Sequence, residues 1–208
     1  MIKHVSLNHG WYYHYRIHSQ KASQLCNNGF SSLKSYMERI MNDCPDEKFV
    51  NGPRSSALRF NLPINLQVHE NHEVSELCRQ GLKTMDNYKT AHSKVQMFML
   101  QFDKSTFSVE TPIWLQPKEI DNFDSIFNSR NPLSGHIDAL RIESDNNIWI
   151  WDYKPKAEKE KYASTQVYFY ALMTSKRTGI SLDKFMCGYF DKHVAYTFKP
   201  EEKILEKI

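Results

Sequence analysis

The stretch from Gly135 to Lys154, GHIDALRIESDNNIWIWDYK, decides how the rest of the chain is interpreted. Two mainly apolar runs within it, residues 135–142 and 148–154, are predicted to be β-strands. Residues 143–147 between them are rich in turn-forming Ser, Asp and Asn, so the two strands are predicted to form a hairpin.

The spacing within this hairpin determines which side chains can meet. Side chains alternate along a strand, so Asp152 and Lys154 are expected on one face and Trp151 on the other. A loop of three or five residues would place Asp138 opposite Asp152 or diagonally beside it, whereas a loop of two or four would turn Asp138 to the wrong face. We therefore expect an odd-numbered loop.

Two neighbouring carboxylates repel each other, and the pair is costly unless a positive charge lies between them. A hard divalent cation such as Mg²⁺ removes the repulsion, binds through one or two carboxylates and keeps several waters. Such an ion suits phosphodiester hydrolysis, in which an adjacent ammonium stabilises the developing charge. The candidate catalytic residues are therefore Asp138, Asp152 and Lys154, and the backbone carbonyl of Tyr153 is a further candidate metal ligand.

The alternative interpretation of Asp152 and Lys154 is an ordinary salt bridge on a surface hairpin, because so short a motif is common. The preceding residues favour the catalytic interpretation. Residues 148–151 are apolar on both faces, which is typical of a buried central strand. Charged residues are rarely buried without a role, and active sites on sheets usually lie at strand ends, so an acid ending this strand indicates a functional site.

The composition is that of an ordinary globular protein. The chain has 208 residues, of which 40% are hydrophobic and 25% charged, and its formal net charge is +3. This length fits a single domain, in which residues 1–70 are expected to be an N-terminal elaboration and residues 71–198 the catalytic core. The mild positive charge permits a phosphate-bearing partner without requiring one.

The first ten residues and the spacing of the cysteines bear on where in the cell the protein acts. Residues 1–10 lack the apolar run of a signal peptide, and no stretch approaches the roughly 18 to 20 apolar residues of a membrane span. We therefore expect a cytoplasmic or otherwise intracellular protein that is not secreted and has no membrane partner. The four cysteines form no CxxC pair, so free thiols are expected rather than a zinc site.

Helical and strand-like patterns alternate along the rest of the chain. Residues 1–70, here called the front section, are expected to be mainly helical, with two short helices in residues 19–44 split at residues 27–29. Within the front section, residues 58–68 have a strand-like alternation that is interrupted by Pro63. The core is predicted as a helical region, three strands, a helix and two further strands, in residues 70–101, 106–115, 135–142, 148–154, 162–176, 185–190 and 194–198. The last helix joins two strands that can be parallel neighbours, which predicts an α/β fold with a mixed central sheet.

Two further segments have alternative interpretations. Gln166 and Tyr170 are four residues apart on one face of the predicted helix, where they could bind a phosphate, support a metal site, or simply pack in the core. Residues 9–18, HGWYYHYRIH, could stack unpaired bases, although such a mixture is more often a packed amphipathic segment.

Three motifs in order give the chain a resemblance to a known family. They are Gly135-x-x-Asp138, Asp152-Tyr153-Lys154 and Gln166-x-x-x-Tyr170. The chain resembles the PD-(D/E)XK nuclease superfamily, and most closely its RecB-like branch, which includes CRISPR-associated RecB-like and mitochondrial genome-maintenance exonucleases. The matching stretch covers about residues 85–190, and the three motifs together are specific although each alone is not.

The resemblance implies a restriction-endonuclease-like αβββαβ core and hydrolysis of nucleic acid, usually DNA, with Mg²⁺ or Mn²⁺. It makes Asp138 and Asp152 metal ligands and Lys154 the catalytic lysine. Gln166 and Tyr170 match the QxxxY motif of the RecB-like branch.

His92 matches a histidine that RecB-like members carry on the helix before the first strand, where it can reach the metal. The alternative is a buried, hydrogen-bonded histidine, because His92 also lies on the apolar face of its helix. Glu110 on the first predicted strand could be an extra ligand, but we expect a structural partner near the sheet end.

Two features depart from the RecB-like pattern. Some members bind an iron–sulfur cluster through one early and three late cysteines, and since only Cys187 lies late in this chain, we expect no cluster. The second carboxylate, Asp152, stands where Glu is commoner.

The expected function is that of a metal-dependent deoxyribonuclease, exo- or endonucleolytic, in DNA repair, recombination or replication. One alternative is a catalytically inactive DNA-binding or scaffold module of the same fold, and another is a non-nucleolytic partner protein with a fortuitous motif. The expected partner is nucleic acid, DNA before RNA, and a homo-oligomer or an association with repair or replication proteins is compatible with this expectation.

Overall fold

The computed structural model describes residues 1–207, and its central feature is a mixed sheet of eight strands. The strands are β1 (Ile2–Asn8), β2 (Tyr12–His18), β3 (Gln67–Glu70), β4 (Thr106–Leu115), β5 (Leu133–Ile142), β6 (Ile148–Tyr153), β7 (Phe185–Phe190) and β8 (Val194–Phe198). Their order across the sheet is β1-β2-β4-β5-β6-β7-β8-β3. β6 and β7 pair in parallel, and the other neighbours pair antiparallel.

Helices cover both faces of this sheet. They are α1 (Ser19–Leu25), α2 (Ser31–Asn42), α3 (Glu73–Thr84), α4 (Ala91–Phe102), α5 (Phe123–Phe127) and α6 (Ala163–Thr178). The chain order α4-β4-β5-β6-α6-β7 is the predicted αβββαβ order, and the prediction of an α/β fold with a mixed central sheet is confirmed.

The hairpin of β5 and β6 has the odd-numbered loop that the sequence predicts. Ile142 pairs with Ile148, which leaves the five residues 143–147 in the loop. The loop closes through the Asp145 carboxylate, which accepts from the Asn147 backbone N–H at 3.0 Å, and through Asn146, which has a left-handed φ of 56°.

The two faces of β6 are buried against different helices, as expected for a central strand. Ile148 and Ile150 belong to the core cluster that includes α6, whereas Trp149 and Trp151 belong to the cluster that includes α3 and α4. Helix α6 is the crossover that joins β6 to the parallel strand β7, and it ends at Gly179, whose φ is +72°.

The predicted helical region before β4 consists of two helices, α3 and α4, which are separated by residues 85–90. Gly81 lies inside α3, which contacts α4. A Cβ atom at Gly81 would lie 2.9 Å from the Cβ of Phe98 and 3.1 Å from the carbonyl oxygen of Lys94. The glycine therefore permits the close approach of the two helices rather than interrupting one of them.

The front section contains the two predicted helices and also a hairpin, β1 and β2, that the sequence analysis did not predict. Strand β2 pairs with β4 and extends the central sheet, with Tyr15 and Ile17 buried on one face. The expected strand over residues 58–68 is wrong for most of its length, because only residues 67–70 pair with β8. Pro63 lacks an N–H for a strand ladder, and Leu62 is anchored by its backbone N–H to the Thr165 hydroxyl at 3.1 Å.

Within residues 1–207, no helix is both long enough and apolar enough to cross a membrane. The four cysteines are free thiols, of which Cys26, Cys78 and Cys187 are buried and Cys44 is partly exposed.

We predict that Gly81→Ala lowers the free energy of unfolding by about 1 kcal/mol or more, because overpacking against Phe98 outweighs the better helix propensity of Ala. Lys83→Ala, at an exposed position of the same helix, is the matched control and should change stability by less than about 0.5 kcal/mol. Urea denaturation of the variants measures both values. A Gly81→Ala variant at least as stable as the original protein would contradict the close approach of α3 and α4.

Candidate active site

Asp138 and Asp152 lie at matching positions of β5 and β6. Ala139 pairs with Trp151, and the same register places Asp138 opposite Asp152. Asp138 is 9% exposed and Asp152 is 2% exposed, so both carboxylates are largely withdrawn from water. The Tyr153 backbone N–H donates to Oδ2 of Asp138 at 2.8 Å, which ties the first acid to the strand of the second.

Lys154 lies beside Asp152, on the face that the alternation of side chains predicts. Its Nζ is 2.7 Å from Oδ2 of Asp152 and donates to Oε1 of Gln166 at 2.9 Å. The Gln166 amide Nε2 donates to Oδ1 of Asp152 at 3.3 Å and to the Tyr170 hydroxyl at 2.7 Å. One amide of α6 therefore holds the lysine, the acid and the phenol in a single network.

The first motif begins with glycine, Gly135, because a side chain at this position would clash with its neighbours. A Cβ atom at this position would lie 2.4 Å from Cε1 of Tyr170 and 2.4 Å from Oγ of Ser55. Because Gly135 leaves this space open, the ring of Tyr170 packs directly on β5 and its hydroxyl reaches Gln166.

Glu110 adds a third carboxylate to the row. Val109 pairs with Ala139 and Thr111 with Ile137, so Glu110 of β4 lies opposite Asp138. The Gln96 amide of α4 bridges the two acids, donating to Oε1 of Glu110 at 2.6 Å and to Oδ1 of Asp138 at 3.0 Å. The three acids thus lie side by side across β4, β5 and β6.

The backbone at Glu110 is strained. Its φ is +54°, in the left-handed region that residues with a Cβ rarely adopt within a strand. Such strain is retained when the surrounding structure requires it, and it occurs often at functional sites.

His92 lies at the rim of the site rather than in the core. Its side chain is 45% exposed, and its Nε2 is 3.8 Å from Oδ2 of Asp138. The ring stands edge-on to Tyr153, with centroids 4.9 Å apart. The alternative of a buried, structural histidine is therefore wrong, and the imidazole faces the acids.

Three carboxyl groups and one ammonium group dominate the electrostatics of the site. Burial, followed by the charge of Asp152, raises the pKa of Asp138 above its usual range. Burial and the charge of Asp138 likewise raise the pKa of Glu110. Burial alone would lower the pKa of Lys154, but the carboxylates, Asp152 first, outweigh this effect and raise it. A further positive charge would therefore be stabilised among these acids.

A cavity of about 220 Å³ opens over these residues, and the front section supplies part of its wall. Its lining comprises Tyr13, Arg54, Ser56, His92, Glu110, Gly135, His136, Asp138, Asp152, Lys154, Gln166 and Tyr170. Arg54 donates to the Tyr13 hydroxyl at 3.1 Å, and the Tyr13 ring stacks on His136 with centroids 3.6 Å apart. The two residues thus anchor the unpredicted hairpin to the strand that carries Asp138.

His136 is also held by a chain of contacts through His9 to Asp46. His9 Nδ1 is 2.9 Å from His136 Nε2, and His9 Nε2 is 2.9 Å from Oδ1 of Asp46. Burial lowers the pKa of both histidines, and the chain of contacts ends at the Asp46 carboxylate. His9 also stacks on Phe49, with centroids 3.9 Å apart.

The structure brings together all of the side chains that the sequence analysis selected as candidates, Asp138, Asp152, Lys154, His92, Gln166 and Tyr170, around this cavity. Gln96 and Arg54 were not predicted, and Tyr13 was considered only as part of the segment 9–18. Gln96 had a usable signal, because it lies one helical turn after His92. Arg54 had none, and nothing in the sequence placed Tyr13 beside the acids, since only the tertiary fold brings both residues there.

The donor set fits a hard divalent cation. Three carboxylates in one row, with an imidazole at the rim, offer the oxygen and nitrogen ligands that Mg²⁺ or Mn²⁺ accepts. Burial first, and the neighbouring carboxylates second, raise the pKa values of Asp138 and Glu110, and a bound cation would offset both effects. The residues present therefore match the ion that this chemistry requires.

Comparison with known families agrees with this geometry. The sequence model of the PD-(D/E)XK nuclease superfamily matches residues 32–206, and the chain belongs to this superfamily. Nucleases of this superfamily act on nucleic acid and typically use divalent metal ions. Comparisons with curated proteins and with solved structures gave no match.

We predict that Glu110→Gly is more stable than Glu110→Ala by about 1 kcal/mol, because only glycine adopts a φ of +54° at little cost. Both variants lose the carboxylate, so their difference isolates the backbone. The control is the same pair of substitutions at Val68 in β3, where Ala should be the more stable. Chemical denaturation in EDTA gives the four values, and a more stable Ala variant at position 110 would contradict the strained conformation.

Proposed function

We propose that this protein is a metal-dependent nuclease that hydrolyses phosphodiester bonds of DNA. The observation that carries the proposal is the facing pair Asp138 and Asp152, with the Lys154 ammonium 2.7 Å from the second acid, inside an open cavity. Membership of the nuclease superfamily supports the same conclusion.

The proposed ligands of a Mg²⁺ or Mn²⁺ ion are the carboxylates of Asp138 and Asp152, the backbone carbonyl of Tyr153 and the imidazole of His92. We add Glu110, in place of the structural role expected from the sequence, because it lies opposite Asp138 and lines the cavity. Its bond to Gln96 orients the carboxylate towards the first acid.

The ion, when bound, polarises a phosphate oxygen and lowers the pKa of a coordinated water. The chain's own residues act around the scissile phosphate. The Lys154 ammonium stabilises negative charge developing on the phosphate oxygens. Gln166 keeps that ammonium beside Asp152, and Tyr170 holds the Gln166 amide in place. Arg54, which also lines the cavity, offers a second cation to a neighbouring phosphate.

We further propose that the chain belongs to the RecB-like branch and acts in DNA repair, recombination or replication. The order and contacts of Gln166 and Tyr170 support the branch, because the two residues bond to each other and to the site. An intracellular location follows from that role as part of the proposal, as does an association with itself or with repair or replication proteins.

The decisive assay incubates the protein with labelled single- and double-stranded DNA in Mg²⁺, Mn²⁺ or EDTA. We expect cleavage with either metal and none in EDTA. Asp152→Asn should lower the cleavage rate by about 100-fold or more and should weaken the stabilisation by metal against thermal unfolding. Asp121→Asn, which changes an exposed carboxylate between β4 and β5, should behave like the original protein.

Undiminished cleavage in Asp152→Asn would contradict the assignment of this site. An ion that stabilises the original protein without cleavage of any substrate would instead favour an inactive DNA-binding module of the same fold.

We predict that Tyr170→Phe lowers kcat by about 2- to 10-fold with little change in KM, because it removes one hydrogen bond that positions Gln166. Tyr168→Phe is the matched control on α6. It removes the bond of the Tyr168 hydroxyl to the Glu201 carbonyl, away from the cavity, and should leave kcat unchanged. Equal kcat values for both variants would contradict the positioning role of Tyr170.

A further inference from the structure

Two large aromatic side chains at the tip of the first hairpin face water. Trp11 is 75% exposed and Tyr12 is 67% exposed, next to the turn residue Gly10, whose φ is +79°. Farther along the same strand, Tyr15 and Ile17 are buried. The segment therefore divides into a packed part that anchors β2 in the sheet and an exposed aromatic pair that the core does not use.

The aromatic pair borders a hollow that leads to the candidate active site. This hollow, here called the aromatic groove, has a volume of about 310 Å³ and is lined by Trp11, Tyr12, Tyr13, His14, Arg16, Thr90, His92, Ser93, Gln96 and Glu110. Tyr13, His92 and Glu110 also line the cavity over the acids. A ligand lying in the groove would thus continue directly into that cavity.

The polar groups of the groove suit a phosphate backbone. Arg16 supplies a positive charge, His14 and His92 supply ring nitrogens that can bond a phosphate, and Glu110 at the inner end is the single carboxylate among the lining residues. Arg54 continues the positive charge into the neighbouring cavity. Cations beside exposed aromatic rings are the combination used to bind single strands, whose bases stack while their phosphates pair with Arg.

We propose that the aromatic groove binds an unpaired nucleic-acid strand, with bases stacked on Trp11 and Tyr12, and guides that strand to the acids. This inference rests on the proposed nuclease function and specifies its substrate class. In a duplex the base faces are covered by neighbouring base pairs, so exposed rings can stack on internal bases only where the strand is unpaired. The groove consequently favours single-stranded DNA or a frayed end over an intact duplex.

Tryptophan fluorescence provides a test that does not depend on cleavage. Of the four tryptophans only Trp11 is exposed, because Trp114, Trp149 and Trp151 are at most 8% exposed. Oligo(dT) titrated into the full chain in EDTA should quench the Trp11 emission, and a duplex of the same length at the same concentration should quench it much less. The double variant Trp11→Ala/Tyr12→Ala should bind oligo(dT) about 10- to 100-fold more weakly, measured by anisotropy of a labelled oligonucleotide.

Phe102→Ala is the matched control, since Phe102 is 64% exposed and lies at the other end of α4 from His92. It should bind oligo(dT) like the original protein. Circular dichroism and the stability of the double variant show whether it folds, and Trp11→Phe, which keeps a stacking ring, should retain most of the affinity.

Three results would overturn the proposal: equal affinity for oligo(dT) and duplex, unchanged oligo(dT) binding by the folded double variant, or a change of oligomeric state in that variant without a loss of binding. The last result would assign the aromatic pair to contact with a second copy of the chain. Quenching by oligo(dT) in a protein that cleaves nothing would support strand binding while contradicting the nuclease proposal, so the two failures are distinguishable.

Discussion

Repulsion among like charges is the constraint around which the site is organised. Glu110, Asp138 and Asp152 lie in one row across three strands, with Asp138 and Asp152 buried and Glu110 half-buried, so that little water screens them. Single amides are placed between the charges, as the Gln96 side chain is between the first two acids. Lys154 supplies one positive charge to the row. A divalent ion bound there would offset the remaining negative charge.

Helices on the two faces of the sheet both contribute side chains that hold this row of acids. Helix α6 brings Gln166 to Asp152, and helix α4 brings Gln96 and His92 to Asp138, so each acid is oriented by a different helix. The front hairpin closes the third side by way of Tyr13. The site, at the meeting point of two helices and a hairpin, is buried at its base and open at its rim.

The sequence alone was sufficient where local rules decide the outcome. The apolar run 148–151 predicted a buried central strand, and the requirement that Asp138 meet Asp152 predicted an odd-numbered loop, found as the five residues 143–147. The sequence alone could not predict contacts between distant segments or an unusual backbone conformation. Tyr15 and Ile17 alternate with polar residues in the sequence, as in a half-buried strand. Their partner strand lies some 90 residues later, at Ser108 and Val109, and no local pattern indicates that pairing. No local pattern indicates a left-handed residue inside a strand, so the backbone conformation of Glu110 could not be predicted from the sequence.

We propose that the facing acids of β5 and β6 share one divalent ion, and anomalous diffraction from crystals grown with Mn²⁺ would locate that ion. We expect a manganese peak between the carboxylates of Asp138 and Asp152, within coordination distance of both. A peak bound elsewhere, or well-ordered acids turned away from each other with no peak between them at saturating Mn²⁺, would contradict it.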